Sequence, residues 1–255
     1  MKTISLSNIK GGVSKTTTAS TLAAGLNQRG YKVLMIDSDP QSNLTMCFMK
    51  EPEEGTPSLY NVYKQEKTIQ EVKKNIREGL DLVIGDIDLC VADMEFQGVG
   101  RLKLLYKALK SVETEYDFVI VDTPPNLGIL SLNAFICTDY LCVPMTADAF
   151  SLKGIRLLKK TIDEVAEETT KEINVIGVLL TKYNERTNVS KVLERSIGTA
   201  AELLNTKLFE TRIRTATAIQ ESQIAKMDIF NYLPKATVTE DYDRFINELL
   251  ERISK

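Results

Sequence analysis

The sequence predicts an α/β fold, a doubly wound, mostly parallel sheet with helices on both faces. Three observations carry that expectation. Six short apolar, often β-branched runs recur along the chain, longer stretches with apolar residues at helical spacing lie between them, and a glycine-containing loop joins the first run to the first such stretch. The runs are TISLSN (3–8), KVLMID (32–37), LDLVIG (80–85), DFVIVD (117–122), YLCVPM (140–145) and INVIGVLLT (173–181), each short enough for a strand buried on both faces. The amphipathic stretches are 15–29, 100–113, 152–168, 188–204 and 238–253, with Gly30 as the C-terminal cap of the first. Residues 47–79 break the alternation at Pro52, Gly55 and Pro57, and read as a surface excursion with short helices or as an insert that binds a partner.

Composition narrows the function classes. At 255 residues, 43% hydrophobic and 26% charged, the chain can bury a substantial core, and we expect one domain over 1–255. A net charge of -3 argues against a wholly basic nucleic-acid binder and leaves room for a local basic face. Cys47, Cys90, Cys137 and Cys142 form no C-x-x-C pair, so they read as reduced, mostly buried thiols of a cytoplasmic protein. Histidine is absent, which leaves a carboxylate or a lysine as the only candidate general base. The start MKTISLSN is too short and polar for a signal peptide, and no apolar run approaches the roughly 20 residues that span a bilayer. A soluble protein with no membrane association is expected.

The loop SNIKGGVSKTTTAS (7–20) leaves the first strand and enters the first helix, where an anion is best received. Backbone N–H groups of Gly11, Gly12, Val13 and Ser14 can turn inward on a phosphate. Lys15 supplies a point charge to the β- and γ-phosphates, Thr16 a hydroxyl for Mg²⁺, and Thr17 reaches the α-phosphate. The G-x-x-x-x-G-K-[ST] pattern fails, because Ile9 and Ser14 stand at its glycine positions. The deviant Walker A motif K-G-G-x-G-K-[ST]-T fits at every position except Ser14. If Ser14 needs a positive φ, its side chain costs on the order of 1 kcal/mol.

With VLMIDSDPQSNLT (33–45) and FVIVDTPPNLG (118–128) added, the chain resembles the ParA/Soj family of DNA-partitioning ATPases, within the deviant-Walker group that includes MinD. The resemblance runs on through SLKGIRLL (151–158), LLTKYNERTNVS (179–190) and DIFNYLPKA (228–236), in the family's order and spacing. It implies a P-loop NTPase-like fold and Mg²⁺-dependent hydrolysis of ATP. By the same resemblance Lys10 is a signature lysine that reaches, across an ATP-dependent homodimer, the phosphates held by the other subunit. Two ammonium groups around one triphosphate offset its charge during transfer. Asp122 matches the Walker B aspartate that holds Mg²⁺, Asp39 positions or activates the attacking water, and Asp37 supports the magnesium shell. Asp37 and Asp39 sit two apart, so in extended chain they project to one side. Pro124, Pro125 and Gly128 are either the family's loop linking γ-phosphate to the dimer face or an ordinary turn.

Relatives bind DNA without sequence preference through basic residues on the assembled dimer. Arg186 matches a family position of that kind, and Lys182, Lys191 and Arg212 are neighbouring candidates. Arg214 is a nucleotide-site candidate, although Ala216 stands where the family commonly has an asparagine near the base. The first strand begins too early for an N-terminal helix-turn-helix, so a separate ParB-like centromere-binding partner is expected to supply specific DNA contact. The implied role is plasmid or chromosome partitioning on the nucleoid.

Two other readings stand beside it. A MinD-like membrane switch would use the tail as an amphipathic helix, with Phe245, Leu249, Leu250 and Ile253 on one face, but Glu240, Asp241, Asp243, Glu248 and Glu251 would repel anionic lipid. A packed terminal helix accounts better for that pattern. An iron–sulfur ATPase resembling the nitrogenase iron protein would need a cysteine from each subunit at the dimer axis in a glycine-rich setting. Cys90 and Cys137 sit instead among apolar residues and are expected in the core.

Overall fold

The computed structural model describes residues 1–98, 100–147, 151–169, 171–184 and 197–254. Within these residues one eight-stranded sheet runs through the molecule. Its strands are β1 (Lys2–Leu6), β2 (Val33–Asp37), β3 (Lys74–Arg77), β4 (Leu80–Val83), β5 (Phe118–Asp122), β6 (Tyr140–Thr146), β7 (Asn174–Tyr183) and β8 (Leu208–Arg214). The spatial order is β3-β4-β2-β5-β1-β6-β7-β8, and β3 alone runs antiparallel to its neighbour. Each of the six apolar runs contains a strand, and the doubly wound architecture is as expected.

Alternation along the strands divides the core. Val33 and Met35 of β2, Phe118 and Ile120 of β5, and Ile4 and Leu6 of β1 face one layer, with the first helix (Lys15–Gln28) and the last (Thr237–Ser254). Leu34, Ile36, Val119 and Val121 face the other, against helices Leu59–Tyr63, Leu104–Leu109 and Ile129–Cys137. Beyond β1, the second layer continues with Leu141 and Val143 of β6 against helix Ser151–Thr169. Period-two burial on two covered faces explains why β2 and β5 read as unbroken apolar runs.

Gly30 has φ +87 and donates its N–H to the Asn27 carbonyl at 2.9 Å, so it ends the first helix in the left-handed conformation as expected. The irregular 47–79 region holds the short helices Leu59–Tyr63 and Ile69–Val72, followed by β3. The stretch 100–113 is helical in three pieces, with 3₁₀ turns on either side of Leu104–Leu109. Most of 188–204 lies outside the described residues; 197–203 is helical.

Several elements go beyond the sequence reading, among them β8 and the helices Ile129–Cys137 and Thr217–Ile224. As an edge strand β8 buries only Phe209 and Ile213 and exposes Glu210, Arg212 and Arg214, so LFETRIR has no apolar run. Its charges also guard the sheet edge against pairing with another chain. The cysteine reading needs one correction. Cys47, Cys137 and Cys142 are buried, but Cys90 is exposed, because it lies on a 3₁₀ turn (Ile87–Val91) that turns only Leu89 inward.

Candidate functional site

The sheet order places the site. From β1 the chain crosses to β2 on one side, whereas β6, β7 and β8 extend the other, so the ends of β1, β5 and β6 border a topological switch point. In register, Leu6 lies opposite Asp122, and Asp122 opposite Asp37. The loop that follows β1 therefore rises beside two carboxylates that end adjacent buried strands.

That loop is tied down on its β6 side. Asn8 donates from Nδ2 to the Pro144 carbonyl at 2.8 Å, and its Oδ1 accepts the Lys10 N–H at 3.0 Å. The Thr181 hydroxyl of β7 stands 3.1 Å from the carbonyls of both Val13 and Met145. Gly12 has φ +75, and a Cβ at Gly11 or Gly12 would meet nothing within 4 Å, so the backbone there is open to a ligand. Ser14 caps the first helix with φ 65, ψ 29 and makes no side-chain cap bond. The positive φ expected for this position is present, at a cost on the order of 1 kcal/mol.

Lys15 curls beneath the loop, donating from Nζ to the carbonyls of Asn8 at 3.0 Å and Lys10 at 3.2 Å, and is only 7% exposed. Burial lowers its pKa, against the pull of Asp122 and Asp39. Lys10 is exposed and is not among the residues lining the cleft. The two lysines of one loop thus occupy opposite environments.

Thr16 Oγ1 donates to Asp122 Oδ2 at 2.6 Å, which brings the hydroxyl and the strand-end carboxylate together. Asp122 is fully buried, and among the described residues its Oδ1 has no hydrogen-bond partner. Desolvation, then the neighbouring Asp37, hold its pKa well above the ordinary carboxylate range. An orphaned buried oxygen next to a threonine hydroxyl suits Mg²⁺, a hard cation that keeps water and phosphate in its shell. No group of three or more His, Cys, Asp or Glu side chains placed to hold a metal ion exists among the described residues. When bound, the ion supplies positive charge that would return Asp122 to its ionised form.

Asp37 and Asp39 part company. The carboxylate of Asp37 accepts from the Thr45 N–H and hydroxyl, both at 2.7 Å, and from the Asp39 N–H at 3.3 Å. Burial still pushes its pKa up to about 6. Both of its oxygens therefore already accept from protein donors. Asp39 lies beyond the strand end, where period two no longer applies, and lines the cleft with Oδ1 accepting the Gln41 N–H at 2.9 Å. Both carboxylates lie within electrostatic reach of Asp122 and push its pKa further up.

The cleft has a volume of about 730 Å³ and is bounded by the loop, Asp39, Pro125, Lys182, residues 213–216 and helix Thr217–Ile224. Arg214 lines the cleft and gives its guanidinium to Asp241, with Nε and Nη2 at 2.6 and 2.8 Å from the carboxylate. Lys182, a DNA-contact candidate, forms part of the cleft wall, with φ 50 at the end of β7. Arg212 stacks over the Tyr183 ring at 5.4 Å and borders a second cleft of about 690 Å³, shared with Arg214 and Arg244. Arg186 and Lys191 lie outside the described residues. Asn8, Thr45, Thr181 and Gln223, which hold these groups in place, went unread because hydroxyls and amides that bond across strands leave no periodic or motif signal.

The family model described as an AAA domain matches residues 1–175. The sporulation initiation inhibitor protein Soj of Bacillus subtilis is 31% identical over 94% of this chain and 95% of its own. The chromosome partitioning protein ParA of Myxococcus xanthus is 31% identical over 98% of this chain and 88% of its own. Among solved structures, cobyrinic acid a,c-diamide synthase of Mycobacterium smegmatis with ADP and magnesium superposes with a TM-score of 0.87 at 26% identity, over 100% of this chain and 96% of that one. A deviant Walker loop, a buried Walker B carboxylate and near-full-length similarity agree: the chain belongs to the ParA/Soj family and is an ATPase that uses ATP with Mg²⁺.

Proposed function

We propose that this ATPase is a DNA-partition switch in which ATP joins two copies into a sandwich dimer that binds duplex DNA without sequence preference. A ParB-like partner then stimulates hydrolysis and releases the chain from the nucleoid. The observation that carries the proposal is the division of labour in the loop: Lys15 is buried against the loop's own carbonyls, whereas Lys10 is exposed outside the cleft wall. A lysine exposed on the loop and outside the cleft wall is suited to serve the triphosphate of a second copy, and the charge it adds there acts in the transition state as well as in assembly.

Asp39, the carboxylate that lines the cleft, orients the attacking water. Asp122 and Thr16 hold magnesium, and Asp37 braces the turn that carries Asp39 by accepting from Asp39 and Thr45. Arg212, Lys182, Arg186 and Lys191 are the basic residues proposed to contact phosphate on the dimer, Arg212 with support from its exposed place on the edge strand β8. A MinD-like reading is disfavoured by the terminal helix, whose Phe245, Leu249 and Ile253 are spent in the core.

The test is duplex DNA binding with ATP, ADP and no nucleotide, run beside light scattering on the wild type and Lys10→Ala. The expected result is a dimer and DNA binding only with ATP or a non-cleavable mimic, both lost in Lys10→Ala. DNA binding that ignores the nucleotide, or a monomer at saturating mimic, would end the proposal. Asp39→Ala is expected to bind ATP within about threefold of wild type, lose at least roughly 100-fold in turnover and stay dimeric.

A further inference from the structure

Helix Thr217–Ile224 closes one side of the cleft with Ile219, Gln220, Gln223 and Ile224. Two bonds fasten it to the phosphate side. Gln223 donates from Nε2 to Thr17 Oγ1 at 3.3 Å, and Lys226, just past the helix end, donates from Nζ to the Met46 carbonyl. Thr17 stands in the first turn of helix Lys15–Gln28, a turn with no acidic residue and no side-chain cap, whose backbone N–H groups suit an anion. The donor end of the Gln223 carboxamide therefore already sits at the hydroxyl that reads the α-phosphate.

We infer that Gln223 is a nucleotide ligand, donating its side-chain N–H to the α-phosphate and ribose end of bound ATP or ADP from the wall facing the loop. This rests on the ATP-site reading of the loop. A carboxamide offers two N–H donors, so Gln223 keeps one hydrogen bond with Thr17 while giving the other to an anionic oxygen. Its half-buried position, neither freely solvated nor sealed, lets the side chain adjust without repacking. The bound nucleotide thereby ties helix Thr217–Ile224 to helix Lys15–Gln28, and occupancy is felt on the β8 side of the cleft as well as on the loop. Since the α-phosphate is common to both nucleotides, Gln223 sets affinity for ATP and ADP alike.

Isothermal titration of ADP and of a non-cleavable ATP mimic into wild type, Gln223→Leu, Gln223→Glu and Glu221→Gln, a change on the same helix at an exposed position outside the cleft wall, tests the assignment. Gln223→Leu is expected to weaken both nucleotides about tenfold. Gln223→Glu, which has the same shape but puts a negative charge near phosphate, should weaken them further. The ratio of the two affinities should stay within about twofold of wild type, and Glu221→Gln should bind as wild type. In steady state, Gln223→Leu should raise KM for ATP and leave kcat unchanged. Wild-type affinity in both Gln223 variants, or a loss confined to the ATP mimic, overturns the inference. A wild type that binds neither nucleotide would instead refute the ATP-site reading beneath it. Melting curves on the same samples verify folding, and the isosteric Gln223→Glu decides the matter if Gln223→Leu fails to fold.

Discussion

Asp122 has its carboxylate taken out of water beside a second buried carboxylate, Asp37, and one of its oxygens meets no donor among the described residues. That arrangement stores instability which a bound cation relieves, so function and nucleotide-free stability pull apart at this residue. Asp122→Asn should raise the stability of the nucleotide-free protein at pH 7.5 by about 1–3 kcal/mol, several degrees in Tm, while abolishing Mg²⁺-dependent hydrolysis. The sign of its pH dependence follows from linkage. Asp122 has a folded-state pKa above the unfolded value, so the native state holds the extra proton and loses stability as pH rises from about 4. The advantage of Asp122→Asn over wild type should therefore shrink as melts are taken at lower pH toward about 4; an advantage that grew on acidification would contradict this account. Asp37, held near pH 6 by the same burial, adds to the trend in wild type.

Among elements, the last helix carries the clearest division of faces. Val238, Phe245, Ile246, Leu249 and Ile253 are buried, and Phe245 meets Phe209 of β8 edge to face at 5.0 Å. Asp241 and Glu248, which read from sequence as part of an acidic surface, serve the interior edge instead. Asp241 pairs with Arg214 and Arg244, while Glu248 accepts the N–H groups of Glu210 and Thr211 and pairs with Arg252. Phe245→Ala should destabilise the protein by about 3–5 kcal/mol in urea unfolding. Liposome co-sedimentation of the wild type with ATP should find no binding, since an apolar face engaged in the core cannot also enter a bilayer. The terminal helix was legible because its apolar residues repeat every three or four positions. β8 and helix Thr217–Ile224 were not, because an edge strand and a half-exposed wall bury too few side chains to mark a period.

For the whole molecule, the net charge of -3 means that any DNA contact has to be local and its affinity dominated by a few phosphate contacts. If each copy neutralises about three phosphates, raising salt from roughly 50 to 200 mM should weaken DNA binding by about 40-fold per copy, a slope readable by fluorescence anisotropy with the ATP-bound wild type. Arg212→Ala should flatten that slope by about one unit without altering ATP affinity.

The sequence alone determined the chain's class and the heart of its chemistry. Apolar runs of strand length and a K-G-G-x-x-K-T-T loop are local patterns, and locality is what a single chain displays. Tertiary structure decided which residues stand together, since hydrogen bonds across strands join positions whose separation in sequence carries no rule. The parallel register set Asp37 beside Asp122, the turn after β2 bonded the Asp39 N–H to Asp37, and the last helix paired Asp241 with Arg214. Packing likewise made Lys182 part of the nucleotide cleft and brought Gln223 to Thr17 across more than 200 residues of chain.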